Sequence, residues 1–166
     1  DNAAVLDGGL KKWKAEGRPV ETGVERHPAA TLTPKPRPHL VVDREGVLAA
    51  LAAGHCVVNA LSPEQHTGTG GTHYGRPGRI AGSVNVASRD LLDPATGAFL
   101  PQAEIEAAMR AVGALEAERV VPYCGGGIAA SVTTFWLTRL GHRNVALYDN
   151  SLGEWVSDPE LPMQTG

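Results

Sequence analysis

The sequence carries two thiols, in opposite settings. Cys56 opens an apolar run with Val57 and Val58, and no glycine loop follows, so it reads as a core residue. Cys124 follows Val120, Val121 and Tyr123, a run of the length a buried strand needs. After it come Gly125, Gly126 and Gly127, and then Ile128, Val132, Phe135, Trp136 and Leu140 recur at helical spacing. A thiol is thereby placed at the tip of a strand, on a glycine loop that opens into a helix. Glycines let successive backbone N–H groups turn inward, and a helix start adds unpaired N–H groups with partial positive charge. Such a setting favours the thiolate, the form that attacks sulfur, carbon or phosphorus. Cys124 is the candidate nucleophile. A cysteine phosphatase would need an Arg six residues further on to grip phosphate in a bidentate fork. That position is Ala130, and no Arg occurs before Arg139, so the phosphatase reading fails.

The elements that must position Cys124 alternate between strand and helix signals. Residues 40–42 read as a short strand, and Asp43 as the cap of a helix carrying Val47, Leu48 and Leu51. Residues 55–60 form a buried strand, and Ser62-Pro63-Glu64 is a helix start. Another short strand is expected at 83–86, and a turn lies around Asp93-Pro94 and Gly97. A helical stripe of Ile105, Ala108, Met109, Val112 and Leu115 follows, and the last strand falls at 145–148. This alternation predicts an α/β fold, a mostly parallel central sheet with helices on both faces. Ligands of such sheets bind beyond the carboxyl ends of the strands, where Cys124 falls. The three tryptophans read as packing residues, and His142 as an exposed residue of a helix-end turn. Residues 65–89 stand apart: 25 residues with no acid, but with His66, His73, Arg76, Arg79 and Arg89. An acid-free basic loop beside an anion-attracting Cys is a landing zone for a small anion. The histidines lack ligand spacing, so no metal is assigned.

The chain length suits one full domain rather than two. Its 42% hydrophobic and 20% charged residues are those of an ordinary globular protein. A net charge of −3 without any Lys/Arg block argues against nucleic acid as a partner. No apolar run approaches the ~20 residues of a membrane span, so no membrane partner is expected. The start has no signal-peptide pattern, and two distant cysteines suit a reducing compartment, so a cytoplasmic setting is expected.

The two ends of the chain repeat each other. Asp7, Leu10 and Trp13 have the spacing of Asp149, Leu152 and Trp155. With one extra residue in the second copy, Pro19, Thr22 and Gly23 match Pro162, Thr165 and Gly166. Residues 1–23 are therefore expected to be the tail of a preceding domain copy. Residues 24–39, with Pro28, Pro34, Pro36 and Pro38, read as an extended interdomain linker, and residues 40–166 as the catalytic domain.

CGGGIAA at 124–130 resembles the active-site loop of the rhodanese (sulfurtransferase) family, which often reads C-G-S-G-V-T-A or C-R-K-G-V-T-A. CVVNALSPEQ resembles that family's strand followed by D-x-R-S-P-E-E, and GRIAGSVNV its G-H-I-P-G-A-x-N-V. VALYDNSLGEW resembles V-x-x-Y-D-G-S-x-x-E-W, and DPELPMQTG the usual end of a C-terminal rhodanese domain. The resemblance implies a rhodanese-like fold and a tandem thiosulfate or 3-mercaptopyruvate sulfurtransferase, of which this chain is the C-terminal domain with the end of its rhodanese-like neighbour. It further implies a two-step transfer without cofactor or metal. Cys124 would take a sulfane sulfur from a small anionic donor and carry it as a persulfide held by the backbone of Gly125, Gly126, Gly127, Ile128, Ala129 and Ala130. A thiol or cyanide acceptor, or a thioredoxin-like protein, would remove it. In mercaptopyruvate-type relatives the loop equivalent to 65–89 supplies arginines for the carboxylate, which nominates Arg76 and Arg79.

The sequence also departs from the pattern. Gly126 and Ala129 stand where the mercaptopyruvate-type loop has Ser and Thr, and Gly125 and Gly126 where the thiosulfate-type loop has Arg and Lys. Asn59 and Leu61 replace the usual Asp and Arg, Arg79 replaces a common His, and Pro122 interrupts what should be a central strand. These departures keep a second class open, a persulfide carrier or rhodanese-like interaction module with little turnover on small donors.

Overall fold

Alternation along two paired strands decides the layout of the domain. The computed structural model describes residues 3–166; Asp1 and Asn2, the start of the expected N-terminal tail, lie outside the described residues. The elements are α1 (Gly9–Ala15), β1 (Val41–Val42), α2 (Arg44–Ala52), β2 (Cys56–Asn59), α3 (Pro63–Thr67), β3 (Arg79–Ile80) and β4 (Val84–Asn85). They continue with α4 (Gln102–Ala111), β5 (Val120–Tyr123), α5 (Ile128–Arg139), β6 (Leu147–Tyr148), α6 (Ser151–Trp155) and β7 (Met163–Gln164). β2 pairs in parallel with β4 on one side and β5 on the other, with Cys56 opposite Val120 and Asn59 opposite Tyr123. A parallel bridge from Val120 to Val145 leads on to β6, which pairs in parallel with β1. Successive strand residues point to opposite faces. Val57, Val121 and Tyr123 accordingly enter one core with Val47, Leu152 and Trp155. Val58 and Val120 enter the other with Ile105, Met109, Trp136 and Leu137. The expected α/β fold, a parallel sheet covered on both faces, is the observed one.

The expected caps form. Asp43 accepts the Gly46 N–H at 2.9 Å to start α2. Ser62 and Gln65 make a reciprocal capping box that starts α3, with Pro63 at the first helical position. Pro122 has a physical account. Donor direction alternates along a strand, and Val120, of the same parity, donates to Asn144 O at 3.0 Å. The N–H that Pro122 lacks would face that same side, where pairing is a single bridge rather than a ladder.

Several expectations need correction. α4 ends at Ala111, and Gly113 turns the chain with φ +73°, so Val112 and Leu115 pack beyond the helix rather than on it. β6 is not the last strand: β7 pairs antiparallel with β3. His142 is half-buried, with Nε2 2.8 Å from Ala117 O. Trp155, by contrast, is the packing residue expected, fully buried against Tyr148.

The repeated ends share backbone geometry. α1 and α6 both open on a residue in the left-handed region, Gly9 at φ +55° and Ser151 at φ +53°. Trp13 donates its indole N–H to Pro19 O at 2.8 Å, as Trp155 does to Pro162 O at 3.2 Å. Their surroundings differ: Leu152 is 2% exposed and its counterpart Leu10 is 58% exposed. Residues 24–37 run exposed and without regular structure between α1 and the domain.

Candidate active site

Cys124 directly follows β5 at the carboxyl edge of the sheet, 2% exposed, and α5 begins four residues later. The loop between is tied down by the segment that opens α6. Ser151 is buried, and its hydroxyl accepts the N–H of Cys124 at 3.0 Å and of Gly127 at 3.3 Å while donating to Tyr148 O at 2.7 Å. The same hydroxyl lies 4.0 Å from Cys124 Sγ. Leu152 and Gly153 donate their N–H groups to the carbonyls of Cys124 and Gly125 at 3.1 and 2.9 Å. Gly127 caps α5 with φ +83°, and a Cβ there would strike Asp149 Oδ1, so this position admits no side chain. Among the described residues, the N–H groups of Gly125, Gly126, Ile128, Ala129 and Ala130 donate to no protein acceptor. They are the free donors of a helix start and its loop, the arrangement that binds an anion. Ile128, 86% exposed, forms the outer lip.

The floor beneath the loop is polar but neutral. Tyr123 OH accepts the Ile80 N–H at 3.0 Å and is paired with Ser83 Oγ at 2.8 Å, and burial pushes its pKa up to about 12. Asn59 is buried and accepts the Leu61 N–H at 2.8 Å, while Leu61 packs in the same core cluster as Cys124. The Asn-Leu pair thus lets this wall close without a buried charge. Cys56 is half-buried in β2, and burial pushes its thiol pKa up, as suits a core residue.

Arg76 and Arg79 are placed elsewhere. Arg76 donates to Asp158 O and Leu161 O at 3.1 and 2.9 Å. Arg79, buried, donates to Gly166 O at 2.6 Å and His66 O at 3.4 Å. Both guanidinium groups clamp the C-terminal segment, and neither hydrogen-bonds to the Cys124 loop, so the anion role expected of them draws no support from these contacts. Burial, with Arg79 nearby, lowers the pKa of His66 to about 4. Ser151, which ties down the Cys124 loop, is the residue that a reading of single residues passes over, although it stands inside the motif YDNSLGEW. Among the described residues no cluster of His, Cys, Asp and Glu is placed to hold a metal ion, and no helix is long and apolar enough to cross a membrane.

The site is thus a cysteine on a glycine loop at the carboxyl edge of a parallel α/β sheet, ringed by free backbone N–H donors. The chain belongs to the rhodanese-like domain family, whose family model matches residues 45–158. The putative thiosulfate sulfurtransferase SseB of Mycobacterium tuberculosis is 31% identical over 167 residues, which cover 99% of this chain and 58% of that protein. A probable 3-mercaptopyruvate sulfurtransferase of Pseudomonas aeruginosa is 29% identical over 168 residues, covering 100% of this chain and 59% of that one. The crystal structure of YnjE, the name of an Escherichia coli thiosulfate sulfurtransferase, aligns with a TM-score of 0.82 at 31% identity, covering 97% of this chain and 42% of that one. The chain thus spans under two thirds of the length of each of these relatives.

Proposed function

We propose that this domain is a sulfurtransferase that works through a Cys124 persulfide. In the first step Cys124 Sγ attacks the outer sulfur of a small anionic donor, thiosulfate or 3-mercaptopyruvate. A bond from the transferred sulfur to Cys124 Sγ forms as the donor's S–S or C–S bond breaks; the electron pair leaves with sulfite, or with the enolate of pyruvate, which takes up the proton the donor thiol gives up. In the second step a thiol or cyanide takes the outer sulfur and the Cys124 thiolate returns. The observation that carries this reading is the loop itself: a nucleophile at its start, the free N–H groups of Gly125, Gly126, Ile128, Ala129 and Ala130 after it, and Ser151 fixing its shape. Backbone donors of this kind stabilise negative charge on a transferred group. Relatives named for thiosulfate and for 3-mercaptopyruvate support the class of activity. A turnover assay with both donors, beside Cys124→Ser, tests it; turnover is expected with at least one donor and none in the variant. The loop has no basic side chain, which favours the carrier reading as the alternative: persulfide forms, but multiple turnovers on small donors do not.

Residues 1–23 are further proposed to be the tail of a preceding rhodanese-like domain, joined by the linker 24–39. The matched helix starts and indole bonds of the two ends support it. So do the unused donors: Leu152 and Gly153 bond the Cys124 loop, whereas the N–H groups of Leu10 and Lys11 bond nothing among the described residues.

A further inference from the structure

Cys124 is enclosed, so a donor needs a way in. One side of its loop is closed by Ser151, Leu152 and Gly153 through hydrogen bonds, and Asp149 abuts Gly127. Another side is covered by Tyr74. Its ring and hydroxyl fill the space a side chain at position 125 would take, so that a Cβ there would overlap both. Gly125 has no positive φ, so it is the approach of the tyrosine, not the backbone, that demands glycine here. Tyr74 rides on residues 68–78, which have no regular structure. That segment is anchored by Gln65 Nε2 on Thr72 O at 2.9 Å and by Arg76 on Asp158 O and Leu161 O. Between these anchors His73, Tyr74 and Gly75 make no hydrogen bond among the described residues.

Tyr74 also lines a largely polar cavity of about 580 Å³, with Leu61, Ser62, Glu64, Thr72 and Arg89. Leu61 and Ser62 leave the end of β2 as Cys124 and Gly125 leave the end of β5, and these strand ends are in register. The cavity and the Cys124 loop therefore open from the same edge of the sheet, with the tyrosine between them. Arg89 is the one cation in the cavity wall, exposed; it faces the Glu64 carboxylate of the same wall electrostatically, but its guanidinium makes no hydrogen bond among the described residues and so keeps its donors for a ligand.

We infer that Tyr74 gates the Cys124 site: an anionic donor collects in the Arg89 cavity, and displacement of the ring joins that cavity to the sulfur. The donor part rests on the sulfurtransferase reading, while the gate concerns only access to Cys124. The test uses the full chain and two alkylating reagents, neutral iodoacetamide and anionic iodoacetate, with mass spectrometry of the Cys124 and Cys56 peptides. A closed gate whose open form is a minor population slows Cys124 accordingly, so Tyr74→Ala is expected to speed alkylation by both reagents about ten-fold. Tyr74→Phe keeps the ring and is expected to match the natural protein. Gly125→Ala should also speed Cys124, because its methyl group displaces the ring. Arg89→Gln is expected to slow iodoacetate several-fold and leave iodoacetamide unchanged. Unaltered Cys56 labelling reports an intact fold in every variant. Unchanged iodoacetamide rates in both folded Tyr74→Ala and Gly125→Ala overturn the gate. An equal response of the two reagents to Arg89→Gln overturns the cavity's role. Faster alkylation in the gate variants, with no persulfide formed from any donor, would leave the gate standing and remove the sulfurtransferase reading alone.

Discussion

Removing the Ser151 hydroxyl tests whether the Cys124 loop is held from the α6 side. Ser151→Ala keeps the backbone and deletes one oxygen. That oxygen accepts two buried N–H groups, from Cys124 and Gly127, and donates to Tyr148 O. Each buried polar group left without a partner costs about 1–3 kcal/mol. Gly126 is exposed, so water can reach part of the loop, and the expected loss is about 2–4 kcal/mol rather than the full sum. For a chain of this size that is a fall in Tm of about 5–12 °C. Ser151 also sits at φ +53°, which costs a residue with a Cβ about 1–2 kcal/mol. Ser151→Gly relieves that strain while losing the same bonds, so it should be more stable than Ser151→Ala but less stable than the natural protein. Urea unfolding gives the stabilities, and persulfide loading of Cys124 by thiosulfate gives the functional readout. Both variants should load more slowly, because the loop donors lose their fixed geometry. A Ser151→Ala protein within about 0.5 kcal/mol of the natural one, loading at the natural rate, would show that the hydroxyl does not hold the loop.

Other perturbations follow from the same contacts. His66 has its pKa lowered from 6.5 to about 4, so below pH 6.5 the unfolded chain binds a proton that the folded one refuses; stability should be full above pH 6.5 and decline toward pH 4. Thermal melts across that range should show a shallower decline in His66→Gln, and an identical decline would contradict the assignment. Arg79→Ala should free residues near Gly166, lowering Tm and speeding amide exchange there with donor KM unchanged. A raised KM at unaltered Tm would instead place Arg79 on the substrate. Limited proteolysis should cut first within 24–39 and leave 40–166 folded, whereas first cleavage inside 40–166 would contradict the domain boundary.

What the sequence reveals here depends on how local the cause is. The Cys124 loop, the Asp43 and Ser62 caps and the two-faced core were legible, because glycine runs, cap residues and apolar spacing act over a few neighbouring residues. The β3–β7 pair was not, since each strand has two residues and their partnership joins Arg79 to Gln164 across most of the domain. Arg76 and Arg79 illustrate a second limit. A sequence shows that a loop is basic but not where long guanidinium arms reach, and here they reach backbone carbonyls of the chain's end. Tyr74 illustrates a third: a lone aromatic residue among glycines gives no periodic signal, and only the fold sets it against Gly125. Ser151 was visible within its motif, yet its task depends on a left-handed backbone that no propensity would assign to serine.

Sulfur transfer by this domain turns on whether Cys124 carries the transferred atom. The most direct measurement is the intact mass of the protein after brief exposure to thiosulfate or 3-mercaptopyruvate, with peptide mapping and a reductant control. The expected result is the mass of one added sulfur atom, located on Cys124, removed by dithiothreitol, and lost in Cys124→Ser but kept in Cys56→Ser. No added sulfur with either donor, or sulfur found on Cys56 in the natural protein, would contradict it.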